Sequence, residues 1–145
     1  MSTPDAITTS ALARFRAFYD TFSAAWLPRL PEIYAPGFAF EDPFHRVDGD
    51  FAQLRAYFER VTKLPTSRFD VEDIAVGDDG AYVRWRWTWK LRARSDLRVV
   101  PGVTHLRLAG DGRVTHHRDL FDAATGFYEA FPLVGSALRA IRKRV

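Results

Sequence analysis

Along this chain the spacing of apolar residues changes once, from helical to sheet-like. From Thr9 to Leu30, the residues Leu12, Phe15, Phe18, Tyr19, Phe22 and Trp26 recur every three or four positions, the pattern of one buried helical face. A helix is predicted there, with Pro28 and Pro31 ending it or opening a second short helix that runs to Tyr34. The stretch FAFED, Phe38 to Asp42, reads as a short strand closed by Pro43. Another helix is expected from about Asp50 to Lys63, entered at Gly49-Asp50 and buried through Leu54, Tyr57, Phe58 and Val61.

Beyond Pro65 the apolar period is two, which predicts a sheet. Four strands follow from it: Arg68 to Val76, Ala81 to Arg94, Leu97 to Leu108 and Arg113 to Asp122. They are joined by GDDG, RSD and AGDG, connections short enough for an antiparallel meander. A last helix spans Ala123 to Arg144, interrupted near Pro132 and Gly135. Helices, one short strand, a helix and a long meander define an α+β fold with helices packed on one face of a curved sheet. One domain over residues 1–145 is expected, with 123–145 as a helical extension. In that extension Phe127, Tyr128, Phe131, Leu133, Val134, Leu138 and Ile141 need cover, either as a cap on the domain or against a partner subunit.

Alternation also settles an ambiguous segment, YVRWRWTWKLRAR from Tyr82 to Arg94, whose tryptophans interleaved with cations suggest a nucleic-acid grip. On a strand, Val83, Trp85, Trp87, Trp89 and Leu91 share one face, while Arg84, Arg86, Thr88, Lys90 and Arg92 share the other. Single-strand binding needs stacking aromatics and phosphate-contacting cations in one common groove. No nucleic-acid partner is therefore expected. Charge agrees, because removing Arg139, Arg142, Lys143 and Arg144 from a net charge of +3 leaves −1 for the rest.

The chain has no cysteine, which excludes disulfides, a thiol nucleophile and thiolate metal sites. No apolar run approaches the roughly 20 residues of a membrane span, and MSTPDAITTS lacks the features of a secretory signal. A cytoplasmic protein without a membrane partner is expected. GDDG and AGDG are hairpin turns rather than phosphate loops, and no serine sits in a GxSxG context. His116 and His117, adjacent on a strand, face opposite ways, and no spaced His/carboxylate set accompanies them, so no metal is expected.

The order of elements, YAPGFAFEDPFHRVDG and the final GDGRVTHHRDLFD together resemble the NTF2-like superfamily over Leu12 to Asp122, and within it the SnoaL-like polyketide cyclases and ketosteroid isomerases. The resemblance implies a cone, a curved sheet wrapped around helices, enclosing an apolar pocket, and a homodimer through the outer sheet face. The EDP of Glu41, Asp42 and Pro43 matches the place of the isomerases' general-base aspartate. Their two oxyanion donors are not matched: Phe18, with Tyr19 beside it, and Thr104 stand at those places. His117-Arg118-Asp119 resembles the HxD of SnoaL-like cyclases, in which the aspartate is the general acid/base.

Catalytic roles are therefore implied for Asp42, Asp119 and His117. The implied ligand pocket takes in Phe18, Tyr19, Tyr34, Trp85, Trp87, Trp89, Thr104 and Leu106. Alternation puts Thr115, His117, Asp119 and Phe121 on one face, which the resemblance makes the inner one. Each candidate also has a plainer reading. Asp42 can bond local backbone ahead of Pro43, Asp119 can pair with an arginine, His117 can be an orienting group, and His45 can be an exposed loop residue. Two functions follow: cofactor-independent acid/base chemistry on a hydrophobic, cyclic molecule, by isomerisation, cyclisation or dehydration, or a noncatalytic ligand-binding or interaction module.

Overall fold

In the computed structural model, which describes residues 3–145, Asp5 caps the first helix, α1 (Ala6–Asp20), its carboxylate accepting from the Thr8 amide at 2.7 Å. The helix buries Leu12, Phe15, Phe18 and Tyr19 but stops at Asp20, well short of the expected Leu30. Thr21 closes its end through its amide and hydroxyl, both bonded to the Ala17 carbonyl, and the chain turns away. Trp26 is consequently off the helical face and half-buried. A 3-10 turn (Leu27–Arg29) and α2 (Leu30–Ile33) follow, with Pro28 and Pro31 in their first turns, where a missing amide costs nothing.

Strand β1 (Tyr34–Glu41) is longer than the expected FAFED. It pairs antiparallel with β2 (Arg46–Asp48), a strand too short for alternation to reveal. The next helix, α3 (Phe51–Thr62), lies where periodicity placed it, capped by Asp50 accepting from the Gln53 amide at 3.0 Å. The meander β3 (Arg68–Gly77), β4 (Gly80–Trp89), β5 (Arg98–Leu108) and β6 (Val114–Phe121) is antiparallel throughout. Six strands form one sheet in the order β2-β1-β6-β5-β4-β3, in which β1 runs parallel to β6.

Burial along β4 alternates as expected, with Val83, Trp85, Trp87 and Trp89 in the core and Tyr82, Arg84 and Arg86 exposed. The strand ends at Trp89 rather than Arg94, because the Lys90 amide leaves the ladder for the Pro65 carbonyl at 2.9 Å. Gly102 sits opposite Trp85 on one side and Phe121 on the other. A Cβ there would lie 2.2 Å from the Trp85 ring, so only glycine lets the indole cross β5. In β6 a register shift against β5 puts Val114 in the core and turns Thr115 outward, correcting the inward placement of Thr115.

The segment after β6 is not one interrupted helix. It breaks into α4 (Ala123–Gly126), capped by Asp122, a 3-10 turn (Tyr128–Ala130) and α5 (Pro132–Arg142). Among the described residues no helix is long and apolar enough to cross a membrane.

Candidate active site

Between the inner sheet face, α3 and the turn after α4 lies an unfilled cavity of about 420 Å³, large enough for a small organic ligand. Phe40, Phe58, Phe69, Trp85, Trp87 and Phe121 form its walls, and Phe44, Phe127 and Tyr128 close over it from β1's end and the C-terminal turn. Phe127 is held there by stacking on Trp89, with ring centroids 4.9 Å apart. The polar and charged groups that reach the cavity are Tyr19, Asp42, His45, Tyr57, Arg60 and Asp119. Among the described residues no group of three or more His, Asp or Glu side chains is placed to hold a metal ion.

Asp119 is the end of a buried chain of side chains. Tyr19 and Tyr34 join through their hydroxyls at 2.7 Å, the Tyr34 hydroxyl meets His117 Nδ1 at 2.9 Å, and His117 Nε2 meets Asp119 Oδ1 at 2.8 Å. A second route reaches the same oxygen: Trp85 Nε1 donates to Thr104 Oγ1 at 2.8 Å, and Thr104 donates to Asp119 Oδ1 at 2.5 Å. With Asp119 as a carboxylate, the polarity is set. His117 donates from Nε2, its Nδ1 accepts from Tyr34, and Tyr34 accepts from Tyr19. Burial holds both tyrosine protons far more tightly than usual, so these hydroxyls remain donors. His117 itself is walled in by Phe15, Tyr19, Tyr34 and Phe40, with 1% of its surface exposed. Two donors thus occupy Oδ1 of Asp119, whereas its Oδ2 has no hydrogen-bond partner among the described residues.

Asp42 presents the other carboxylate. One residue past the Glu41–Arg118 register pair, it neighbours Asp119 across the parallel strands. Its Oδ1 accepts the amides of Phe44 at 2.8 Å and His45 at 2.7 Å, and its Oδ2 accepts the Tyr57 hydroxyl. This is the local-backbone arrangement of a strand-end aspartate, with a tyrosine added. Burial raises the proton affinity of Asp42 above the ordinary carboxylate range, although its three donors pull the other way, and the neighbouring Asp119 adds to the rise. The Tyr57 proton is held well above its usual range, by burial first and then by the Asp42 charge.

Of the residues expected at the pocket, Tyr19, Asp42, Trp85, Trp87 and Asp119 line the cavity. Phe18, Trp89 and Leu106 lie behind its wall, in the core, where helix and sheet pack directly. Tyr34, His117 and Thr104 are likewise off the wall and act through hydrogen bonds that end at Asp119. His45 is an exposed loop residue as expected, yet it also borders the cavity, its ring tilted against that of Tyr57 with centroids 4.3 Å apart. Sequence reasoning did not identify Tyr57 as a partner of Asp42, nor Arg60 at the rim. Tyr57 stood on the expected buried face of α3, but a helical period does not say which side chain that face will meet.

The SnoaL-like domain family matches residues 15–117, well over half of the sequence. The chain belongs to the SnoaL-like domain family. No curated protein matches it in sequence. Solved structures with the same fold include a protein described as a SnoaL-like polyketide cyclase from Jannaschia sp. CCS1, 23% identical, with a TM-score of 0.69 over 86% of this chain and 94% of that one. A protein with a ketosteroid isomerase-like fold from Catenulispora acidiphila is 15% identical, with a TM-score of 0.66 over 82% and 90%. An LEH-like epoxide hydrolase from M. tuberculosis is 18% identical, with a TM-score of 0.64 over 97% and 96%. At these identities the likeness establishes the NTF2-like architecture of this SnoaL-like chain, and its chemistry has to be argued from its own residues.

Proposed function

We propose that this SnoaL-like chain is an enzyme that binds a hydrophobic, cyclic small molecule and moves a proton on it without a cofactor. One observation carries the reading: Asp119, on the wall of an open aromatic cavity, is pinned through one oxygen by His117 and Thr104, while its second oxygen has no hydrogen-bond partner among the described residues. A carboxylate so held on the wall of an apolar cavity is well placed to take a proton from carbon beside a carbonyl. The C–H pair of electrons then forms the carbon–carbon double bond of the enolate, and the proton rests on Asp119 Oδ2. His117 acts as a positioning residue that keeps Oδ1 occupied. The proton returns from Asp119 to another carbon in an isomerisation; in a cyclisation the enolate carbon attacks a second carbonyl carbon of the substrate, whose π pair moves to its oxygen, and that oxygen takes the proton from Asp119. Asp42, buried and of raised proton affinity, stands on the same wall with Tyr57 and supports the polar end of the substrate.

A ligand-holding module without chemistry is the second reading, and Asp42 favours it, since all of its bonds are those of a structural residue. The two readings separate in deuterium oxide. β,γ-Unsaturated cyclic ketones, cyclic 1,3-diketones and cyclic β-hydroxyketones are incubated with the protein and followed by proton NMR. The expected result is isomerisation, ring closure, water loss or accelerated deuterium uptake on at least one class, abolished by Asp119→Asn. Ring compounds that bind without any exchange, or full activity in Asp119→Asn, overturn the enzyme reading. The same proposal includes a homodimer through the outer sheet face, where Tyr82, Val99 and Leu120 are exposed between arginines. Sedimentation as a monomer at micromolar concentration removes that part.

A further inference from the structure

Helix α5 makes little use of its apolar residues within the chain. It packs chiefly on the turn Tyr128–Ala130, against which Gly135 sits so closely that a Cβ would lie 2.3 Å from the Glu129 carbonyl oxygen. Arg139 and Arg142 reach Glu129 from the same side, Arg139 at 3.6 Å. That side therefore faces the body. At about 100° per residue the opposite side presents Leu133, Val134, Ala137 and Ile141. Leu133 is 88% exposed, Val134 44% and Ile141 60%. A stripe of this kind differs from scattered surface leucines, because it is continuous on one face and backed by a polar one.

Charge selects what covers it. Arg139, Arg142, Lys143 and Arg144 concentrate four cations at the end of the helix, which itself holds no acidic residue; Glu129 is shared by Arg139 and Arg142, Asp122 also lies near Arg142, and among the described residues no ion pair engages Lys143 or Arg144. Pairing α5 with α5 of a second copy would set no acidic residue of either helix against the other's cations. On the outer sheet face Asp70, Glu72 and Asp79 are already paired, with Arg68, with Arg84 and Arg86, and with Arg107, so they offer the helix little free negative charge. An apolar stripe that runs out into Lys143 and Arg144 fits an anionic lipid surface, with the stripe in the acyl boundary and these two long basic side chains at the headgroups.

We propose that α5 is a membrane-docking helix that lies flat on anionic lipid. Pro132 begins it only a few residues after Phe127 and Tyr128 at the cavity rim, so docking holds the cavity mouth close to a phase in which hydrophobic molecules dissolve. This departs from the expectation of no membrane partner, which rested on the lack of a spanning segment; a helix lying on the surface needs none.

The test is vesicle co-sedimentation of the full chain. The wild type is expected to sediment with phosphatidylglycerol–phosphatidylcholine vesicles, weakly or not at all with phosphatidylcholine alone, and less as salt rises. Leu133→Glu with Ile141→Glu is expected to lower the bound fraction about tenfold or more, and Lys143→Glu with Arg144→Glu by about fivefold per charge. Thermal melts check that the variants fold, which the sparse packing of α5 favours. Wild type that stays in solution with anionic vesicles overturns the proposal, as does a Leu133→Glu/Ile141→Glu variant that binds them equally. A lipid-free dimer that this variant converts to monomer assigns the stripe to a second copy and overturns it as well.

Discussion

Asp42 and Asp119 are the same residue type, on neighbouring parallel strands and on the wall of one cavity, yet their surroundings give them different capacities. Asp42 stands where β1 ends before Pro43, so the chain turns and aims the amides of Phe44 and His45 at its carboxylate. Asp119 stands inside β6, where the neighbouring backbone is committed to the ladder and only side chains can reach it. His117 and Thr104 both take Oδ1, leaving Oδ2 to the cavity. The motif resembling an isomerase base thus marks the more fully bonded carboxylate, and the one supported by histidine keeps an open oxygen. Position along a strand, rather than residue type, makes the difference.

The comparison can be broken in order of effect size. On a substrate found by the exchange screen, Asp119→Asn is expected to lower kcat/KM by about 10²–10⁴-fold, whereas Asp42→Asn lowers it by less than about tenfold. The reverse order would make Asp42 the base and Asp119 the support. Next, Tyr57→Phe strips Asp42 of its side-chain donor and is expected to cost about 1–2 kcal/mol in urea unfolding. An unchanged midpoint would mean that backbone amides alone hold Asp42.

A pH series sharpens the same point. The folded-state proton affinity of Asp42 is raised, so its contribution to stability is fully present below its ordinary value of 3.8 and is lost as pH rises through the raised folded value. Asp42→Asn has no such loss. The stability of wild type relative to this variant should therefore fall as pH rises above 3.8, and a constant difference would show that burial does not govern this group. The smallest effect is expected at Arg86 on the outer face, where its exposed side chain pairs with a half-buried Glu72. Arg86→Ala should change stability by less than about 0.5 kcal/mol and leave the affinity for cyclic ligands unaltered, as titration calorimetry would record.

Much of this arrangement is legible in the residues themselves. A period of two in YVRWRWTWK assigns Trp85, Trp87 and Trp89 inward and Arg84 and Arg86 outward, because a strand has only two faces. The helical period likewise places α1 and α3, and HRD puts His117 and Asp119 on one side of β6. What failed to show were events that break a period or join distant segments. The register shift that expels Thr115, the exit of Lys90 from the ladder toward Pro65, and the three-residue β2 leave no periodic trace.

The same limit divides the site. Which residues face inward is a local property, repeated along each strand and decided by the alternation of apolar and polar side chains. Whether an inward residue walls a cavity or fills the core is a matter of distance between elements. Trp87 borders empty space while Trp89, two residues on, is sealed by Phe127 from the C-terminal turn. The partners of the two carboxylates are equally nonlocal: Tyr57 comes to Asp42 from α3, and Tyr34 to His117 from β1. Only the packing of helices onto the curved sheet brings these groups within hydrogen-bond reach, and that packing decides which aspartate keeps an oxygen open to a ligand.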